Sequence, residues 1–262
     1  METKKKTSYA RRVHIVPVGF DIDRAYMPLI EMEADKVYLF AEKTEREEQL
    51  KYFINEIRNK IKEKSSKPIE IEQRGWDLNK IDIYPTLKEF RKIIDDESGN
   101  DIFINVSTGS KKHAIAGMIA SMIFKDEVRS ITPYYAVPER YTDSPTNKEQ
   151  FSTGCKDIDI LPNYRIEKPP DEIMDILEII DKIQKREETV TKKILIEELE
   201  KAKIKLTTKK TSKNDAGIYN ALQRKYLKPL TDWGYIRMDS RSKRPVIEIT
   251  EEGENALLFL RN

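Results

Sequence analysis

Five short runs rich in β-branched and aromatic residues are spaced along the first 137 residues, with apolar positions at helical intervals between them. The runs are RVHIVPV (12–18), KVYLFA (36–41), IEIEQRG (69–75), DIFINV (101–106) and SITPYYAV (130–137). Each has the length and composition of a strand. Between them, Leu50, Phe53, Ile54, Ile57 and Ile61 share one helical face, as do Leu87, Phe90, Ile93 and Ile94. Strands that alternate with helices pair in parallel, because each crossover carries the chain back to the starting edge, and helices then cover both faces. A parallel α/β sheet covered on both faces is therefore expected over 1–137.

The pattern changes at 138–170, where Pro138, Pro145, Pro162, Pro169 and Pro170 interrupt any period. This segment reads as a linker, with one extra strand at DIDILP. Beyond it, DEIMDILEIIDKI places Ile173, Ile176, Leu177, Ile180 and Ile183 on one helical face, behind the acidic start Asp171 and Glu172. A second helix fits TVTKKILIEELEKA. A third is expected to start after the N-cap Ser212 and run through Ile218, Leu222, Tyr226 and Leu230 to Gly234, with Pro229 tightening or kinking its last turn. Two short strands around the basic turn SRSKR and a closing helix complete a winged helix-turn-helix domain over 171–262.

Hydrophobic residues make up 38% of the 262 and charged residues 36%, the profile of a globular chain with a highly charged surface. The longest apolar run, Ala114 to Phe124, is too short to cross a bilayer, and the basic start has no apolar stretch ending in a cleavage site. Cys155 is the only cysteine, which leaves no internal disulfide, CxxC pair or multi-cysteine metal site. A cytoplasmic protein without metal or cofactor is expected. The net charge is only +2, yet Lys201 to Arg244 holds 13 basic against 3 acidic residues, while Met1 to Pro170 holds 29 of each. Such a local excess is the footprint of a nucleic-acid-binding element or, equally, of a lysine-rich solvated surface.

The stretch NVSTGSKKHAIAG joins the fourth strand to a helix. Gly109 lets the backbone approach a ligand, the hydroxyls of Ser107, Thr108 and Ser110 can donate to oxyanions, and Lys111 and Lys112 add charge beside a helix N-terminus. Phosphate suits that combination, although Ser-Thr-Gly-Ser also serves as an ordinary N-cap without a ligand. A second loop, PVGFDIDRAY, follows the first strand and presents Gly19, Phe20, whose ring could stack on a base, and Asp21. In a doubly wound sheet the first and fourth strands are commonly neighbours across the switch point, so the two loops are expected at one cavity. Neither loop is a Walker A or a GxGxxG motif, which argues against ATP hydrolysis and dinucleotide binding.

These two loops, followed by a winged helix, resemble the CARF-domain transcriptional regulators associated with CRISPR systems, across essentially the whole chain. The resemblance implies a Rossmann-like domain that forms a two-fold homodimer and binds a cyclic oligoadenylate, such as cyclic tetraadenylate, in a cleft spanning both subunits. The ligand-binding residues it implies here are Gly19, Phe20, Asp21, Ser107, Thr108, Gly109, Ser110, Lys111 and Lys112. A cyclic tetra- or hexanucleotide can itself have two-fold symmetry, matching an isologous dimer that offers the same loops twice.

Cleaving effectors of related proteins have signatures this sequence lacks. Both histidines, His14 and His113, lie in the first domain, away from any partner arginine of a HEPN-type ribonuclease, and VIEIT offers Glu248 without the lysine of an E-x-K nuclease. His14 reads as packed inside its strand, and His113 as a satisfied or solvated residue. Trp76 and Asp77 read either as pocket lining or as a lid on the core, and the leader from Lys4 to Arg12 as a flexible tail.

What remains is a reader of double-stranded DNA. Lys213, Asn214, Tyr219 and Asn220 would face the major groove, Arg224 and Lys225 the backbone, and Arg241, Lys243 and Arg244 on the wing the phosphates or the minor groove. The alternative function is a metal-independent ring nuclease. The ligand's 2′-hydroxyl would then attack the phosphorus, with Ser107, Thr108, Lys111 and Lys112 holding it in line and stabilising the developing charge.

Overall fold

The computed structural model describes residues 9–76, 78, 82–143, 145, 146, 148–204, 206, 216–239 and 245–261. The chain divides into two compact units, Met1–Glu167 and Lys168–Asn262.

The first unit is built on a six-stranded sheet. Its strands are β1 (Arg12–Pro17), β2 (Lys36–Phe40), β3 (Glu70–Arg74), β4 (Asp101–Asn105), β5 (Ser130–Val137) and β8 (Asp157–Ile160), in the order β3-β2-β1-β4-β5-β8. All pairings are parallel except β5 with β8. Helices α1 (Asp23–Glu31), α2 (Glu47–Lys64), α3 (Ile83–Asp96) and α4 (Lys111–Ile123) make the four crossovers. Every position of β2 is buried, as a strand covered on both faces requires. Phe53, Ile54, Ile57 and Ile61 of α2 and Ala25 and Leu29 of α1 pack on Val16, Val37 and Leu39. On the other face Phe40 meets Phe90 of α3 edge-on, and Gly117 of α4 lets its helix close onto Ile104 and Val106. Each fully buried side chain of this size contributes about 1.5–3 kcal/mol.

The order places β1 beside β4, where the connections turn from one edge of the sheet to the other. Ligand crevices of open α/β sheets lie outside the carboxyl ends of the strands at such a point.

Two expectations need correction. Much of the proline-rich stretch read as a linker is packed: β6 (Arg140–Tyr141) pairs with β7 (Ser152–Thr153), and the extra strand expected at DIDILP is β8, which extends the main sheet. Its contacts are long-range and leave no trace in local periodicity. The basic leader is not tail up to Arg12, because Arg12 opens β1 and Arg11 forms an ion pair with Glu70 at 2.7 Å.

In the second unit, α5 (Asp171–Lys185) and α6 (Lys192–Lys201), the latter capped by Thr191, precede a third helical stretch. That stretch comprises α7 (Ala216–Leu222), a π-helical turn at Gln223–Leu227, and α8 (Lys228–Asp232). Proline excludes the i→i−4 bond, and its ring presses on the carbonyl four residues back. Widening the turn so that the Lys228 amide reaches the Gln223 carbonyl accommodates Pro229 without ending the helix. The wing strands β9 (Ile236–Met238) and β10 (Ile247–Ile249) are antiparallel, and α9 (Glu251–Leu260) closes the unit. Among the described residues no helix is long and apolar enough to cross a membrane.

Candidate functional site

Three loops meet at the carboxyl ends of β1, β2 and β4 and enclose a cleft of about 210 Å³. The loop after β1 supplies Val18, Gly19, Phe20 and Asp21; the loop after β2 supplies Glu42 and Thr44; the β4–α4 junction supplies Gly109, Ser110 and His113. Leu50 and Phe151 complete the wall.

Gly19 and Gly109 touch. A Cβ on Gly19 would stand 2.9 Å from the Gly109 amide nitrogen, and one on Gly109 would stand 2.7 Å from both His113 Nδ1 and Pro17 Cβ. Gly109 also has φ +75, a left-handed conformation that glycine adopts without penalty. The two glycines thus lock two loops into one surface.

Much of the hydroxyl chemistry expected at the junction is already used by the protein. Thr108 is buried and its Oγ1 donates to the Pro17 carbonyl at 2.7 Å, tying the junction to β1. Ser107 donates through both its amide and its hydroxyl to Asn105 Oδ1. Ser110 and His113 form a capping box: Ser110 Oγ accepts from the His113 amide at 3.2 Å, and His113 Nδ1 accepts from the Ser110 amide at 3.1 Å. Lys111 and Lys112, the first residues of α4, are exposed, and the first turn of α4 holds no acidic residue.

The residues of the first loop are held from outside it. Phe20 lies 5.3 Å from the ring of Phe53 and 5.4 Å from that of Phe151, and its carbonyl accepts from the Phe151 amide. Asp21 accepts from Ser152 Oγ at 2.7 Å and lies 3.7 Å from the Arg24 guanidinium. Burial raises the Asp21 carboxyl pKa, against the pull of the Ser152 hydrogen bond and of Arg24. Gln150 Oε1 accepts from the amides of Ile22 and Asp23, so residues 150–154 strap the loop after β1 in place.

The structure therefore gathers Gly19, Phe20, Asp21, Gly109 and Ser110 around one cleft, while the side chains of Ser107 and Thr108 are spent on contacts within the chain and Lys111 and Lys112 are not among the lining residues. Sequence reasoning missed Glu42, Thr44, Leu50 and Phe151. An acidic residue directly after the run Val37–Ala41 was the available signal for Glu42; Phe151 lay in a stretch without periodicity. His113 is 2% exposed, satisfied at Nδ1 but not at Nε2. His14 is fully buried, 4.9 Å from Phe103 and hydrogen-bonded to the Tyr134 hydroxyl at 3.2 Å. Trp76 packs against the α1–α2 core rather than lining the cleft, and Asp77 lies outside the described residues.

In the second unit Asn220, Arg224 and Lys225 are exposed, Lys225 forming an ion pair with Glu172 at 2.9 Å. Tyr219 is half-buried and lines a groove with Lys192 and Lys193 at the start of α6. Lys213, Asn214, Arg241, Lys243 and Arg244 lie outside the described residues.

Comparison with known proteins agrees with the two-part organisation. Residues 12–141 match a family described as HFX_2341_N-like, N-terminal, and residues 174–261 match the DUF6293 C-terminal winged helix domain. The second unit is a winged helix domain. The chain is 28% identical over 200 residues to the uncharacterized protein MJ1513 of Methanocaldococcus jannaschii, a match that covers 68% of this chain and 58% of that protein. Among solved structures, it is similar to Can2 from Sulfobacillus thermosulfidooxidans in complex with cyclic tetra-adenylate, at 14% identity and a TM-score of 0.39, over 95% of this chain and 63% of that one. Enterococcus italicus Csm6 bound to cyclic hexa-2′-fluoro-hexa-dAMP matches at 15% identity and 0.35, over 50% of this chain and 34% of that one. Protein VC1899 from Vibrio cholerae matches at 11% identity and 0.35, over 95% of this chain and 64% of that one. The chain thus spans less than two thirds of each of these relatives. The Rossmann-like assignment rests on strand order, since these scores are too low to carry it.

Proposed function

We propose that the chain is a homodimeric, ligand-gated regulator: the sheet unit binds a cyclic oligoadenylate, and the winged helix domain binds double-stranded DNA. The observation that carries this reading is the cleft formed where Gly19 meets Gly109 at the β1–β4 switch point, with exposed Lys111 and Lys112 next in sequence to its lining residue Ser110, on the same chain as a winged helix. The resemblance of both loops to CARF regulators points the same way.

Homodimerisation is supported by α4. The helix buries His113, Ala116, Gly117 and Ala120 against the sheet, yet its outer side carries Ile115, 51% exposed, and the half-buried Ile119 and Met122. An apolar stripe on the solvent side of a helix suits a second copy of itself. A dyad along α4 would bring two copies of Lys111 and Lys112 beside one ring. The ring-nuclease alternative rests on those two lysines, because the hydroxyls of Ser107 and Thr108 already serve as internal donors.

The test is the affinity of the full chain for operator DNA with and without cyclic tetraadenylate or the hexamer. The expected change is about 5- to 150-fold, the usual range of allosteric coupling. An affinity unmoved by rings of any size overturns the gating, and a DNA affinity independent of salt overturns the DNA reading.

A further inference from the structure

Of the residues that line the cleft, Gly109 and Phe151 alone are exposed, so Phe151 brings its one exposed side chain. Phe151 is 43% exposed. Val18 and Leu50 are buried in the core behind it, and Glu42 and His113 face one another out of solvent. A ligand that enters from water therefore meets Phe151.

Phe20, the ring that the sequence offers for stacking, is already engaged. Phe53 meets it edge-on at 5.3 Å, Phe151 leans on it at 5.4 Å, and the Arg46 guanidinium lies 5.8 Å from its centre. Among the described residues, Phe20 is the only ring that Phe151 touches. A lone apolar side chain at a surface is ordinary, but this one is held in place. Its amide donates to the Phe20 carbonyl and its carbonyl accepts from the Thr142 amide, both at 2.9 Å. On one side of it Gln150 Oε1 accepts from the Ile22 and Asp23 amides, and on the other Ser152 Oγ donates to Asp21. With the backbone fixed, only two side-chain torsions remain to be ordered, so an aromatic here meets a ligand at little entropic cost.

A cleft of about 210 Å³ has the volume of about seven waters, room for one bicyclic base. A nucleobase offers a flat face that an exposed aromatic ring covers, whichever base it is. We infer that Phe151 is a base-stacking residue: it takes one adenine of the cyclic oligoadenylate on its open side, with Phe20 as the brace behind it. The strap at 150–154 is then part of the ligand site as well as the support of the loop after β1. This deepens the cyclic oligoadenylate reading and rests on it.

Calorimetric titration with cyclic tetraadenylate of the full chain and of its Phe151→Ala and Phe151→Trp variants, each checked for an unchanged melting temperature, tests the assignment. Phe151→Ala is expected to bind the ring about 5- to 150-fold more weakly, the range one stacked base supplies. Phe151→Trp keeps an aromatic face and is expected to recover most of that loss. Its added indole emission, read against the native chain with Trp76 and Trp233, should fall as the ring binds, a response that a side chain merely bracing the loop would not give. Native affinity in Phe151→Ala, or an added emission unmoved by a ring that binds, overturns the stacking and leaves the regulator reading intact. Failure of the native chain to bind any cyclic oligoadenylate overturns both.

Discussion

The sheet unit and the winged helix unit treat polar groups in opposite ways. Of the polar and charged side chains buried among the described residues, all but Asp181 lie in the sheet unit, His14, Asp21, Arg24, Glu42, Thr86 and His113 among them. The winged helix unit has an apolar interior and leaves Asn220, Arg224 and Lys225 in solvent. Buried polar groups cost stability unless fully paired, yet once paired they fix a single geometry. Exposed cations cost little and attract any polyanion, subject to screening. One unit is built for selectivity and the other for charge.

Acid should break the two apart most widely. Burial, followed by the charge of Arg12, lowers the His14 pKa from 6.5 to about 3. The unfolded chain takes up a proton there as the pH falls below 6.5, and the folded chain does not until about 3. The stability is therefore complete above this window and is lost through it, by about 1.4 kcal/mol per pH unit. Calorimetry between about pH 7 and about pH 5 should show the sheet-unit transition moving down while the winged helix transition, whose unit has no histidine, stays in place. His14→Gln should flatten that shift. Equal movement of both transitions would remove the contrast.

A pair of glycine substitutions separates crowding from conformation. Gly19→Ala drives a methyl to within 2.9 Å of the Gly109 backbone, which cannot yield unless the loops part. A loss of about 1–3 kcal/mol in the sheet unit is expected, together with loss of ring binding. Gly234→Ala meets open space, and only its φ of +74 is penalised, so a loss of about 1 kcal/mol is expected in the winged helix transition and none in the sheet unit. Thermal melts and ring titration of both variants check this.

The smallest effects are expected on the charged face. Arg224→Ala should weaken DNA binding about tenfold at low salt and reduce the salt slope by about one. Lys225→Ala should cost less than about threefold, because Lys225 is already engaged by Glu172 at the surface. Salt-dependent anisotropy titrations distinguish the two, and a larger loss from Lys225 would mean that Glu172 lets go on DNA.

The alternation of strand and helix periods made the sheet legible, and the glycines at two strand ends made the loops legible, because both are local signals. The chain's own use of its hydroxyls was not. Thr108 reaches Pro17 across 91 positions and Ser152 reaches Asp21 across 131, and no spacing rule carries such pairings. The strap at 150–154 escaped notice for the same reason. Glu42 was passed over because a carboxylate in a loop ordinarily belongs to water, and only the arrival of Thr86 and His113 on two separate helices takes it out of solvent.

The strap has a bearing on how news could leave the cleft. Phe151 walls the cavity and grips Phe20 by its main chain, and the polypeptide then runs through β8, past the α4–β5 loop, where Arg165 pairs with Asp126, and on to α5. On the proposed reading, an occupant that shifts Phe151 pulls on the very thread from which the DNA reader hangs. Slack inserted into that thread, as glycines after Glu167 where the sheet unit ends, would leave both partners bound and the conversation between them silent.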